Sequence, residues 1–321
     1  MENPSLPVMT EKVTDWSLNT PVAFFVFNRP ELTSKVFQKI REVEPPTLFL
    51  IADGPRSNVP SDKKNVRQVR SIVIDVDWEC DVRTLFSDTN LGVKRRIQTG
   101  INSVFDDVER CIFLEDDCFP NTDFFRFCQT LLEWYDGDER VMDISGSNHL
   151  KTWHPDRQDY HFTRFGGIWG WATWRDAWKH YDPEMTRWDD PVFRDRVKDF
   201  YGDGKMWKYV ELVLDRTHKK DIETWDYQWM FTKAINWGLT ASPSKNLISN
   251  IGFDSGATHT QDESSPMSQV PRHNLAFPLD RTEYVCTDGE YDKQYYELTN
   301  SIWERNVFLR QLRHFYVKNY S

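Results

Sequence analysis

The chain has 321 residues, enough for one large α/β domain or two smaller ones, and carries 40 Lys and Arg against 50 Asp and Glu, a formal net charge of -10. That sign argues against a nucleic-acid backbone or an anionic membrane as principal partner, because both need a basic footprint. No stretch approaches the roughly twenty apolar residues of a membrane helix, the N-terminus lacks the apolar core of a signal peptide, and Cys80, Cys111, Cys118, Cys128 and Cys286 are spaced for neither zinc nor a redox pair, so a cytoplasmic protein with reduced thiols is expected.

Val22 to Phe27 predicts a first strand and Pro30 to Val43 its helix, with Pro30 suited to the first helical turn. Thr47 to Ala52 predicts a second strand that ends in Asp53-Gly54-Pro55, a turn signal with a carboxylate at a strand terminus. A helix follows with Val66, Val69 and Ile72 to Ile74 on its apolar side, then a strand over Val82 to Phe86. Gly92 to Val108 predicts a helix whose stripe is Val93, Ile97, Ile101, Val104 and Phe105. Cys111 to Leu114 is too short for an independent helix and fits a buried, pleated surface, so it reads as a further strand. Strands separated by helices of this length imply βαβ units and a mostly parallel, right-handed sheet.

Beyond Pro120 the pattern predicts a helix capped by Asn121, with Phe124, Phe125, Cys128, Leu131 and Leu132 facing inward, and a short strand over Val141 to Ile144. Residues 146 to 204 are rich in Trp, Gly, Asp and His without clear periodicity and read as a functional loop region. Helices over Lys205 to Lys219 and Trp225 to Asn236, a strand near Asn246 to Ser249, a polar loop or linker over 260 to 275 and a helix over Ile302 to Val317 complete the chain.

The acidic run Glu115-Asp116-Asp117 stands where the Cys111 to Leu114 strand ends. Ligands of open α/β sheets bind outside the carboxyl ends of the strands, and adjacent acids repel unless a cation or proton compensates. A hard divalent cation, Mg²⁺ or Mn²⁺, takes one or two carboxylates and completes its shell with water and phosphate oxygens, which would make the ligand a diphosphate. The competing reading is that these acids cap the helix after Asn121, a task for which one acid suffices.

FNRP after the first strand, IADGPR after the second, TNLGVKRRIQTGIN, and CIFLEDDCFP in that order resemble the nucleotide-binding half of GT-A fold glycosyltransferases. The series is most similar to bacterial family 2-like sugar transferases and the N-acetylglucosaminyltransferase I group, whose metal motif is also Glu-Asp-Asp. The resemblance covers roughly residues 20 to 260. It implies that Asp53, Asn28 and Arg29 line the nucleoside pocket, although Asp-Gly is also a common turn former. It makes Asn90, Gly92 and Lys94 a loop that opens a helix beside the nucleotide, where free N–H groups favour an anion. Asp117 would be the direct metal ligand, with Glu115 and Asp116 nearer the donor sugar and ribose. Asp226, in the run ETWDYQW, matches the position of the general base of inverting members, with Glu223 as its fallback; the family's arginine two residues after the glutamine is absent, and a helix-capping role for Asp226 stays open. His259 would complete the metal site or be an ordinary hydrogen-bonded histidine.

The GGIWGWATW tract would form a sugar wall, with glycines letting the backbone move as a lid. Trp171, Trp174 and Trp178 equally fit a helical core stripe; Trp169 is assigned to the site, and Asp203 in FYGDG is a second candidate for sugar hydroxyls. The expectation is a metal-dependent glycosyltransferase, hexosyl or N-acetylhexosaminyl, inverting, in polysaccharide biosynthesis. It would use Mn²⁺ or Mg²⁺ with a nucleoside-diphosphate sugar, UDP favoured, and a glycan or glycoconjugate acceptor, in the cytoplasm or peripheral at a membrane. The sequence alternatives are a sugar nucleotidyltransferase, which begins with a glycine-rich phosphate loop where FNRPEL has none, and a non-catalytic carbohydrate-binding protein, which needs no triple acid. The organisation expected is a single large domain with an N-terminal extension (1–20), a nucleotide-sugar half (21–120), an acceptor and catalytic half (121–260), and a C-terminal loop and helix (261–321).

Overall fold

A computed structural model describes residues 16–202, 204–253, 267–268 and 270–301. Its first half is β1 (Val22–Val26), α1 (Pro30–Arg41), β2 (Thr47–Ala52), α2 (Asp62–Val73), β3 (Asp81–Phe86), α3 (Val93–Asp107) and β4 (Arg110–Glu115). These strands lie parallel in the order β3-β2-β1-β4. Side chains alternate across a strand, and on β1, β2 and β4 both faces are apolar because both are covered. Val22, Phe24 and Val26 of β1 meet Val36, Phe37 and Ile40 of α1 in one core. Ala23 and Phe25 meet Ile97, Ile101 and Val104 of α3 in the other.

The second half is β5 (Cys118–Pro120), α4 (Thr122–Trp134), β6 (Val141–Ser145), β7 (Tyr160–Thr163), β8 (Trp171–Trp174), α5 (Arg175–Trp178), α6 (Pro191–Tyr201), α7 (Lys205–His218), α8 (Asp226–Ile235), β9 (Leu239–Pro243) and β10 (Ile248–Asn250). The sheet continues from β4 as β8-β6-β9-β7, with β8 antiparallel to both β4 and β6. This mostly parallel, helix-flanked α/β sheet is the architecture the sequence implied. Residues 289–301 are helical and are tied to β7 by Asp292, which accepts from the Thr163 hydroxyl.

Three expectations change. Residues 146–204 are not a loop region, because they hold β7, β8, α5 and α6. Strands of four residues are too short to display a period. The Trp171, Trp174 and Trp178 spacing is not a helical stripe: Trp171 and Trp174 share a strand and face opposite sides, Trp171 packing with Phe113 and Trp225 and Trp174 with the α4 side. All three are buried, so the core assignment of Trp174 and Trp178 holds. In the polar 260–275 stretch, Val270 and Leu275 are buried and Arg272 donates to the Pro120 carbonyl at 2.7 Å, so its described part is packed rather than a linker. The Ile302 to Val317 helix expectation lies outside the described residues. Among the described residues no helix is long and apolar enough to cross a membrane.

One buried ion pair ties α8 to the sheet. Lys233 and Asp143 are 2% and 3% exposed and approach to 3.2 Å, and Asp143 also accepts from Trp229 Nε1 at 2.7 Å. Removing one partner of such a pair leaves an uncompensated charge. Lys233→Ala is therefore expected to lower unfolding free energy by about 3–5 kcal/mol, read by urea denaturation; a loss below about 1 kcal/mol would contradict the pairing.

Candidate active site

The parallel registers place Val26 opposite Ala52 and Phe25 opposite Glu115, so the residues that follow β1, β2 and β4 emerge along one edge. That edge gathers Asn28, Arg29, Asp53 and the acidic run. Buried Asp53 accepts from the backbone N–H groups of Gly54 at 2.8 Å, Leu91 at 2.9 Å and Gly92 at 3.0 Å, and from Asn90 Nδ2 at 3.0 Å. Its carboxylate thus takes the N–H groups of Leu91 and Gly92, the two residues that lead into α3. It clamps the 90–92 turn to the end of β2, which Gly92 permits by taking φ +79° as the N-cap of α3. Asn28 turns its amide onto Asp62 at 2.7 Å, and Asp62 is held below the usual carboxylate range by its Arg56 ion pair. Lys94 reaches Glu184 at 3.4 Å, a site that Lys220 shares at 3.3 Å.

The acidic run is half-buried and crowded. Asp116 accepts from the Phe27 amide at 3.2 Å, and Asp117 pairs with Arg29 at 3.2 Å while its carbonyl accepts from Ile251 N–H at 2.9 Å. The Ile251 bond continues the β5–β10 ladder and draws Gly252 over the acids. A Cβ on Gly252 would stand 2.4 Å from Asp117 Oδ2 and 2.9 Å from Arg29 Nη1, so only glycine allows this approach. Glu115 lies in a narrow cleft with Phe25, Phe113, Ile168, Trp171 and Trp225. Burial, then the charges of Asp117, Asp116 and Asp226, push its carboxyl well above the usual range. Burial and Asp117 push Asp116 up to about 7 against the pull of Arg29, and burial also raises Asp117. The capping alternative for these acids is replaced: Asn121 Oδ1 caps α4 by accepting from Phe124 N–H at 3.1 Å, and β5 separates the acids from that helix.

Asp226 opens α8, preceded by Trp225 as N-cap, and accepts from the Thr224 hydroxyl. Its charge adds to burial in raising the Glu115 carboxyl and the Tyr181, Tyr209 and Tyr295 phenols. Glu223 is exposed, and its Oε1 stands 3.7 Å from where a Gly92 Cβ would lie, so it borders the α3 entry. Trp169 is half-exposed and sets edge-to-face against His149 at 5.0 Å and Phe253 at 5.7 Å. Asp203 and His259 lie outside the described residues. The glycines of the Trp tract serve close packing: a Cβ on Gly167 would meet His149 Nε2 at 2.8 Å, which leaves little room for a moving lid. Sequence reasoning missed Tyr209, Tyr295 and His149, whose proximity depends on the 289–301 helix folding back; the Tyr291-Tyr295 spacing at i, i+4 was the available signal.

Among the described residues no group of three His, Cys, Asp or Glu is arranged to hold a metal. The donor set is nonetheless of the hard-oxygen type that Mg²⁺ or Mn²⁺ takes when water and phosphate fill most of the shell.

No family model and no curated protein matches the chain. Among solved structures it is similar to a mannosyltransferase from Pyrobaculum calidifontis in complex with GDP-Man and Mn²⁺, at 11% identity over 69% of this chain and 74% of that one, with TM-score 0.31. It is similar to mouse xyloside xylosyltransferase 1 at 10% identity over 75% and 99%, TM-score 0.35. A 4-diphosphocytidyl-2C-methyl-D-erythritol synthase from Anaerococcus prevotii follows at 8% identity over 62% and 99%, TM-score 0.33.

The raised Asp116 group gives stability a pH dependence. The folded state holds this proton up to about 7 whereas the unfolded chain releases it near 3.8, so stability falls as pH climbs between those values. Asp116→Asn is expected to raise Tm by a gain that grows from pH 4 to about pH 7 and reaches several degrees above it, measured by differential scanning fluorimetry without added metal. A gain independent of pH would contradict the assignment.

Proposed function

We propose that the chain is a metal-dependent, inverting glycosyltransferase that moves a hexosyl or N-acetylhexosaminyl group from a nucleoside-diphosphate sugar, UDP favoured, to a hydroxyl of a glycan or glycoconjugate. Residues 21–120 supply the donor side and 121–260 the acceptor side, acting in polysaccharide biosynthesis in the cytoplasm or peripherally at a membrane. The observation that supports this reading is that Asn28, Arg29, Asp53 and the run Glu115-Asp116-Asp117 follow the ends of β1, β2 and β4 along one sheet edge, with Arg29 paired to Asp117. The turn after β1, Phe27-Asn28-Arg29, contains no glycine-rich phosphate loop, which disfavours a nucleotidyltransferase.

Asp226 takes the proton of the acceptor hydroxyl as its oxygen bonds to the anomeric carbon. The bond from that carbon to the diphosphate breaks, and the charge passes to the departing phosphate. Asp117, with His259 from outside the described residues, would hold Mn²⁺ or Mg²⁺, which would neutralise that charge, and Asp116 would lie nearer the ribose. Arg29, paired with Asp117, would supply a further cation. Asp53 holds the nucleoside side of the edge in shape through the Asn90 turn. Glu115, whose carboxyl is pushed up by burial and by its acidic neighbours, would lie nearer the donor sugar.

UDP, GDP and CDP, each with Mn²⁺, test the donor site. A saturating nucleotide at about 100-fold its Kd stabilises by about 2.7 kcal/mol. Asp117→Ala is expected to abolish the metal-dependent part of that stabilisation, and retention of it would reject Asp117 as the metal ligand. Asp226→Asn is expected to keep the nucleotide shift while transfer falls by about 10²–10⁴-fold; undiminished transfer would remove it as base.

A further inference from the structure

The formal net charge of -10 hides a local reversal on α2. Residues 57–74 carry Lys63, Lys64, Arg67 and Arg70 against Asp62 as their one acid, and Asp62 is buried. Its carboxylate takes Arg56 Nε at 2.6 Å and Asn28 Nδ2 at 2.7 Å, so its charge is already matched. Arg70 turns inward to the Asp53 and Ser87 carbonyls. Lys63, Lys64 and Arg67 are exposed and, with Pro60 and Gln68, line an open hollow of about 550 Å³. Among the described residues none of these three cations pairs with an acid, whereas Arg41, Arg83, Arg140 and Arg194 each do.

From this hollow we infer a holding site for an acidic glycan, in which Lys63, Lys64 and Arg67 bind the carboxylates or phosphates of a polymer stretch while Gln68 meets its hydroxyls. The inference rests on the transferase reading and adds to it the chemistry of the polymer the enzyme works on. Lys63 and Arg67 stand one helical turn apart, and like charges at that spacing repel until an anion lies between them. The volume falls in the range of small-ligand pockets, about 300–1,000 Å³, and a hollow suits a discrete chain better than a flat lipid surface. Gln68 offers hydroxyls both a donor and an acceptor. No aromatic ring lines the hollow, so nucleobases have no platform on which to stack. Asp62 bridges to Asn28 beyond the end of β1, so the hollow adjoins the donor edge. Its place in the 21–120 half makes it a site for a distal stretch of the polymer rather than for the reacting end.

Isothermal titration calorimetry of the full chain with hexagalacturonate, pentamannose phosphate and neutral maltohexaose tests the site. At least one acidic probe is expected to bind and to be lost at about 1 M salt, where charges act only within about 3 Å, and maltohexaose is expected not to bind. The triple variant Lys63→Ala, Lys64→Ala, Arg67→Ala is expected to weaken binding by about 10²-fold, about fivefold for each cation. Its unfolding should stay cooperative with a Tm no lower than the parent's, which shows that it folds. Binding of neither acidic probe, equal binding of maltohexaose, or an unchanged affinity in the triple variant overturns the site. Retention on phosphatidylcholine–phosphatidylglycerol vesicles that needs the three cations, without binding of either acidic glycan, assigns the face to a lipid surface and overturns it likewise. Acidic-glycan binding that needs these cations in a protein that no nucleotide stabilises keeps the holding site and removes the transferase reading instead.

Discussion

Three adjacent carboxylates at the end of a buried strand impose the constraint around which the sheet edge is built. Two like charges about 4 Å apart repel by about 4 kcal/mol at an effective dielectric near 20, and each also loses hydration. Arg29 supplies one cation against three acids. Glu115 lines the apolar cleft, and burial with its acidic neighbours pushes its carboxyl up, while Asp116 and Asp117 keep polar partners in the Phe27 amide and Arg29. The edge therefore grades from an acid beside Trp171 and Trp225 to a paired one beneath Gly252.

Asp53 shows a different use of a carboxylate on the same edge. Four separate donors converge on it, so its charge is stabilised wholly by the chain. It takes the N–H groups of Leu91 and Gly92 and so gives the 90–92 turn a fixed shape. Glu223 borders that turn from the second half of the chain.

The parallel half was legible because β1, β2 and β4 are apolar runs buried on both faces, the edge strand β3 has a short run bounded by turn residues, and each helix carries a stripe, so β1 through β4 declare themselves within a residue or two. Asn121 was legible as a cap for the same local reason. The antiparallel insertion was not. β7 and β8 are four residues each, and β8 sits between β4 and β6 although it follows them by dozens of residues, a pairing with no local signature. The tryptophans of 171, 174 and 178 imitate a helical period by coincidence of a strand running into a helical turn. At the edge, residue types were readable but engagements were not. Asp53 looks the same in sequence whether its partners are a ligand or the N–H groups of Leu91 and Gly92, which lie 38 and 39 residues away. Tyr295 meets His149 and Phe165 only because the 289–301 helix returns to β7.

The Lys233–Asp143 pair gains its meaning from where it lies on α8. Replacing a buried ion pair by apolar residues often costs nothing, so stability alone does not explain one. Lys233 follows Asp226 by two turns, about 10 Å along the axis, and Trp229, one turn along, shares the same Asp143 acceptor. Two directional contacts to a single carboxylate on β6 fix both the height and the rotation of α8, which apolar packing alone would leave free to slide. The helix whose first residue is Asp226 is thereby indexed to the sheet whose edge holds the acids.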